Sequence, residues 1–182
     1  RLVHTIRQWR QVRFLRDANI AVGHSLQRIA VGHGRVFHDV ATPAGVVDHV
    51  IVGPGGLYAI TVVAHRAMRR ESVQLAESEL RFKPDGTTVS IADIAAKTTR
   101  LEQEFRDLLR NSVRVRSVIA VPGWHAETQS GNGHLVVNER TLPMLRGWRD
   151  EADYLMDEDV RTLQQHLTTT CKRSPGARRK RK

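Results

Sequence analysis

The rhythm of apolar and polar residues changes repeatedly along the chain, and each change predicts an element. Across residues 4–31, Ile6, Trp9, Val12, Phe14, Ile20, Val22, Leu26, Ile29 and Ala30 recur among polar positions at mostly helical spacing. That spacing predicts two helices broken near Asp17–Asn19, with Gly32 and Gly34 closing the region. Val36–Val40 predicts a short strand, Thr42–Gly45 a turn, Val46–Val52 a second strand and Gly53-Pro54-Gly55-Gly56 a tight turn. Leu57–Val63 is a nearly unbroken apolar run, the pattern of an interior strand covered on both faces.

After a basic stretch at His65–Arg70, Ser72–Leu80 predicts a strand pair, and Lys83-Pro84-Asp85-Gly86 a hairpin-like turn. Between Ile91 and Arg110 the residues Ile94, Thr98, Leu101, Phe105, Leu108 and Leu109 fall on one stripe, which predicts a long amphipathic helix packed on the sheet. Val113–Val121 predicts a core strand, Leu135–Asn138 a short strand and Arg140–Trp148 a short helix. The last helix, Asp157–Leu167, opens on acidic residues where the helix dipole favours them. Helix, three strands, helix, two strands and helix suit an α/β sandwich around a mixed sheet.

Composition fits one ordinary domain with tails, since 182 residues at 40% hydrophobic content suffice for a buried core. Aromatics are only 5%, so Val, Ile and Leu must fill it. The formal charge of +10 is concentrated at the ends. Residues 1–16 carry five arginines and no acid; residues 172–182 carry seven basic residues, Lys172, Arg173, Arg178, Arg179, Lys180, Arg181 and Lys182. Setting those twelve aside leaves seventeen basic residues against nineteen acidic ones, a nearly neutral middle. The chain therefore divides into a basic helical segment at 1–16, a domain at 17–170 and a basic tail at 171–182 expected to be disordered.

Basic ends on a neutral body attract a polyanion, either nucleic acid or an anionic membrane surface; a merely solubilising tail is the bland alternative. Cys171 stands alone, which excludes an intrachain disulfide and a cysteine-based zinc site. No window approaches the roughly 18 apolar residues of a membrane span, and no signal-peptide pattern is visible. Walker, dinucleotide-fingerprint, nucleophile-elbow and zinc-finger motifs are all lacking.

Candidate chemistry centres on Asp48, an acid set between two apolar strands. The run Arg7-Gln8-Trp9-Arg10, Gly23, His38-Asp39, Asp48-His49, Gly53-Pro54-Gly55-Gly56-Leu57-Tyr58, Pro122-Gly123-Trp124 and Val136-Val137-Asn138 resembles the nuclease-related domain family, NERD. Together these matches span most of residues 7–145. The resemblance implies a restriction-endonuclease-like fold, a mixed β-sheet core flanked by helices, and a PD-(D/E)xK centre. In such a centre an aspartate and a glutamate hold magnesium while a lysine orients the attacking water. Magnesium demands hard oxygen ligands in near-octahedral geometry.

Carried over residue by residue, the aspartate is Asp48, which this chain keeps. The second carboxylate falls on Thr61 and the lysine on Val63, neither of which can do that work. The family's first-helix glutamate is replaced at Gly23-His24, and a glutamine expected early in the long helix reads Ala95-Ala96. The resemblance thus implies a catalytically degenerate nuclease-like domain that needs no cofactor, with magnesium or another divalent metal required only if it is active.

Relocated partners are the alternative. Strand alternation puts Thr61, Val63 and His65 on one face, so His65, with His24 from the first helix, could join Asp48 in a transition-metal site, and Glu71 is a further candidate. Arg66, Arg69 and Arg70 read either as bidentate phosphate contacts or as a solvated basic loop. Trp124 reads as packing under the sheet's end or, alternatively, stacking on a nucleobase. Expected partners are DNA or RNA, with an anionic membrane or a protein partner as alternatives. Relatives resembling the Arg7–Arg10 segment carry membrane helices upstream, so the resemblance also implies a cytoplasmic domain anchored through residues before Arg1.

Overall fold

A computed structural model describes residues 2–32, 34–66, 69–127, 130–146 and 151–173. Helix α1 (Leu2–Ala30) leads into a meander of β1 (Arg35–Thr42), β2 (Gly45–Gly53) and β3 (Gly56–Val62). Three short strands follow, β4 (Ser72–Leu75), β5 (Glu79–Phe82) and β6 (Thr88–Ser90), then helix α2 (Ala92–Leu109). The chain continues through β7 (Val115–Ala120), β8 (His125–Ala126), β9 (Ser130–Gly131) and β10 (His134–Val137) to helix α3 (Asp157–Arg173).

These strands make two mixed sheets. The larger has the order β1-β2-β3-β7-β10-β9, antiparallel through β1, β2 and β3 and parallel from β3 through β7 to β10. The smaller has the order β6-β5-β4-β8. Interior strands β3 and β7 are largely buried on both faces, as the nearly unbroken apolar run of β3 requires.

Alternation along β3 sends its residues to opposite cores. Leu57 and Ala59 join Val50 and Val52 beneath Leu101 and Phe105 of α2 and Leu163 and Leu167 of α3. Tyr58 and Ile60 join Ile51 and Val118 beneath Val22 and Leu26 of α1. The large sheet therefore lies between α1 on one face and α2 with α3 on the other. Phe105 and Leu163 are wholly buried, each contributing on the order of 2 kcal/mol of apolar transfer. A third cluster joins Val73, Leu80 and Phe82 of the small sheet to Ile119, Val121 and Trp124.

Several expectations need correction. The first region is one 29-residue helix, not two. Asp17 is exposed, and the Asn19 side chain bonds Asp48, so neither competes for the helix backbone. The predicted boundary between residues 16 and 17 thus falls inside a continuous helix. In α2 the buried stripe is Ile94, Leu101 and Phe105, with Leu108 38% exposed.

At the C-terminal side, α3 runs on past Leu167 through Cys171 to Arg173, so the tail does not begin at 171. The predicted helix at 140–148 is a short 3-10 turn, Leu142–Arg146; Trp148 lies outside the described residues. So do Arg178, Arg179, Lys180, Arg181 and Lys182. Strands β6, β8 and β9 are additional to the expected set. No described helix is long and apolar enough to cross a membrane.

Candidate functional site at Asp48

Two backbone irregularities converge on Asp48. On β1 and β2, His38 pairs with His49 and Val40 with Val47, but no pair joins Asp39 to Asp48 between them. Asp39 adopts φ +54°, in the left-handed region. Alternation is interrupted there, so Phe37 and Val40 enter the same core although three residues apart, as do Val47 and Val50 opposite them. The β2–β3 ladder also stops here, its last pair being His49 with Ile60, while β3 continues along β7 to Val62 opposite Ala120.

Asp48 occupies the gap where β2 leaves β3. Its Oδ2 accepts the Val62 backbone N–H at 2.8 Å, replacing the partner that β2 no longer supplies. Its Oδ1 accepts the Asn19 side-chain amide of α1 at 2.9 Å. Burial raises the carboxyl's pKa above its ordinary value; the Val62 and Asn19 hydrogen bonds oppose that rise, as does the positive charge of Lys97, whereas Asp39 adds to it. Lys97 comes from the second turn of α2, and Gly45 makes room for it: a Cβ there would lie 2.9 Å from Lys97 Cε.

On the α1 side of the sheet, next to Asp48, lies a histidine pair. Gln27 Nε2 is 3.0 Å from His38 Nε2, and His38 Nδ1 is 2.8 Å from His49 Nδ1. If the Gln27 amide nitrogen donates, His38 Nε2 accepts, so His38 Nδ1 carries the proton and His49 Nδ1 accepts it. The remaining His49 proton then sits on Nε2, a buried atom with no well-formed hydrogen bond among the described residues, although the Asn19 backbone acts on the ring and partly offsets its burial. Burial, with the neighbouring His38 ring adding to it, holds the His49 pKa down to about 4. Gly23 of α1 faces the pair, a Cβ there coming 3.1 Å from His49 Cε1 and 3.3 Å from His38 Cε1.

The remaining sequence candidates disperse. Thr61 is half-buried on β3, one residue before the Val62 amide. Strand β3 ends at Val62, so alternation does not carry Val63 and His65 to Asp48 as expected. Val63 packs against the small-sheet cluster of Phe82 and Trp124. His65 Nε2 pairs with Asp85 at 2.8 Å, and its ring lies 4.7 Å from Phe82 and 5.4 Å from Trp124. His24 is exposed on α1. Glu71 pairs with Arg69 at 2.8 Å. Trp124 is 1% exposed, with its indole N–H donated to the His65 carbonyl at 3.0 Å, so it is a core residue and not a nucleobase platform.

Arg66 and Arg70 do meet other charged residues, lining an open groove with Arg10, Arg13, Phe14 and Asp17 of α1. The backbones of Lys172 and Arg173 close α3.

This donor set does not fit magnesium. Asp48 offers one carboxylate with both oxygens engaged, Asp39 is exposed and acts on it through charge, Thr61 is neutral and Val63 is turned away. Among the described residues no three His, Cys, Asp or Glu side chains form a group able to hold a metal ion. The His24, Asp48 and His65 grouping is not formed.

Sequence reading missed Asn19 and Lys97. Asn19 left one signal, a helix-disfavouring amide inside a helical pattern; Lys97 left none beyond its place near the start of an amphipathic helix. Comparison with family models, with curated proteins and with solved structures returns no match.

Proposed function

We propose that this chain is a catalytically degenerate, restriction-endonuclease-like domain of the nuclease-related type that binds nucleic acid instead of cutting it. One observation carries the reading: the acid at the expected metal position has both oxygens engaged by Asn19 and Val62, beside a neutral threonine. Asp48 is thereby a structural acceptor that ends the β2–β3 ladder. A phosphodiesterase of the implied kind needs that carboxylate free to share a cation with a second acid.

The positive balance of the chain supports the binding half of the proposal. Phosphate contacts made by arginine and lysine release counterions, so affinity should fall steeply with added salt. The test is a pair of measurements on the purified full chain. Fluorescence anisotropy with labelled DNA and RNA should give salt-sensitive binding, and incubation with plasmid and single-stranded DNA across magnesium, manganese and zinc should give no cleavage. Absence of binding to any nucleic acid overturns the proposal.

A second reading, a divergent nuclease built on Asp48, has one observation in its favour: the charge of Lys97 reaches the carboxylate from α2. Metal-dependent cleavage that disappears in Asp48→Ala would establish it and remove the first.

A further inference from the structure

The groove between α1 and the loop after β3 is built from a narrow set of side chains. Arg10, Arg13, Phe14 and Asp17 face it from the helix, and Arg66 and Arg70 from the loop, around a space of about 470 Å³. Four guanidinium groups against one carboxylate give it a local charge of three positives. Arg10, Arg13 and Asp17 are spaced i, i+3, i+7, so they form one stripe of α1. Arg70 is also pinned: its guanidinium carbon lies 5.5 Å from the Phe14 ring centroid, and its Nη1 fills the space that a Cβ on Gly123 would take. Gly123 sits at φ +79°, so the Val121–Trp124 turn both needs glycine and leaves the room that Arg70 uses.

We infer that this groove is the seat for the phosphodiester backbone of a single-stranded nucleic acid, a site separate from the basic tail. Arginine forks match phosphate oxygens bidentately, and a guanidinium held over an aromatic ring is already ordered for that contact. Concavity favours a strand over a membrane, which is met by a flat or convex surface. Of the exposed apolar residues of α1, Val12 at 62% falls away from the arginine stripe, while Trp9 at 68% and Ile20 at 44% flank its two ends. Both walls of the groove are continuous in sequence with the Asp48 site: Asn19 is two residues beyond Asp17, and Val62 four residues before Arg66. The inference rests on the nucleic-acid reading above and gives it a location.

The test uses the full chain in five forms: wild type, Arg10→Gln with Arg13→Gln, Arg66→Gln with Arg70→Gln, Arg70→Lys, and a tail form with Arg178, Arg179, Lys180, Arg181 and Lys182 all changed to Gln. The probes are labelled oligothymidylate, a DNA duplex and phosphatidylserine vesicles, each across a salt series. Each groove pair should weaken oligothymidylate binding by about tenfold and flatten the salt slope by about 0.7 for every phosphate no longer neutralised. Arg70→Lys, which keeps charge but not the fork, should recover only part of the affinity. The substituted groove arginines are exposed, and unchanged thermal melts establish that the variants fold. Groove variants that bind as wild type does, while the tail form loses affinity, overturn this inference and leave the nucleic-acid reading standing. Groove variants that lose only vesicle or only duplex binding overturn it as well. A wild-type chain that binds none of the nucleic acids removes both.

Discussion

Asn19 and Asp48, twenty-nine residues apart, are joined at 2.9 Å across the helix–sheet interface, tying α1 to the point where β2 and β3 part. The bond explains how a helix-disfavouring amide comes to lie inside a long helix. It also fixes what each partner is for: the amide satisfies a carboxylate that burial already destabilises.

Asn19→Ala should therefore destabilise the protein by about 1–2 kcal/mol at neutral pH, the cost of leaving a half-buried carboxylate oxygen without its donor. The sign with pH follows from the raised pKa of Asp48. Charged Asp48 opposes folding above its folded-state pKa, and protonation on acidification relieves that opposition. The gap between variant and wild type should thus shrink as the pH is lowered. Urea unfolding at neutral and mildly acidic pH measures it; a gap that widens on acidification rejects the account.

Gly23→Ala reverses the usual helix rule. In an exposed helix interior the change gains about 1 kcal/mol. Here the new Cβ meets His49 Cε1 at 3.1 Å and His38 Cε1 at 3.3 Å, and the two rings are held together by their own 2.8 Å contact. With little freedom to yield, the pair should turn that gain into a loss of roughly 1 kcal/mol, the size of a modest overpacking penalty. A thermal melt decides it, and a stabilised variant would mean that the histidines shift freely.

How much of the fold and site is legible in the sequence depends on how local the cause is. The strands β1 to β3 and the helix α2 follow from alternation, stripes and glycine turns, each a property of neighbouring residues, and their ends fall close to the expected ones. The unbroken α1 is not legible, because its N-terminal half extends beyond the sheet, leaving Trp9 and Val12 exposed and the apolar rhythm without a partner to enforce it. At the site, Asp48 is legible from its setting between strands. Asn19 and Lys97 reach it from elements 29 and 49 residues away, and only tertiary packing brings them there. His65 is misplaced by alternation because the strand ends at Val62, before the pattern could carry it to the site.

The histidine pair, through its buried member His49, should set the acid limit of stability. Unfolded His49 takes a proton near its ordinary pKa of 6.5, whereas the folded residue does so only near 4. Stability present at neutral pH is therefore lost as pH falls from about 6.5 to about 4, by up to about 3 kcal/mol. His38 and His134 are shifted in the same direction by burial and steepen the fall. His49→Leu removes the titrating group and should flatten the curve in that window. Chemical denaturation across the range is the measurement; an equally steep curve in the variant would assign the acid loss to other groups.

Restoring an acid beside Asp48 tests the degenerate site from the opposite direction. Thr61 precedes the Val62 amide that Asp48 accepts, at the point where β2 has parted from β3. In Thr61→Glu a second carboxylate would face a half-buried first one, and like charges in a shared site disfavour each other's ionisation. Without divalent ions the variant should melt lower than wild type, and the neutral Thr61→Gln should not share the charge-dependent part of the loss. Two carboxylates also supply the hard anionic oxygens that magnesium requires. Adding magnesium should then raise the melting temperature of Thr61→Glu by mass action and leave wild type unmoved. A wild-type chain that responds equally would mean that its unaltered site already binds the ion, and the non-catalytic reading would fall. A Glu variant indifferent to magnesium would mean that position 61 does not share a cavity with Asp48.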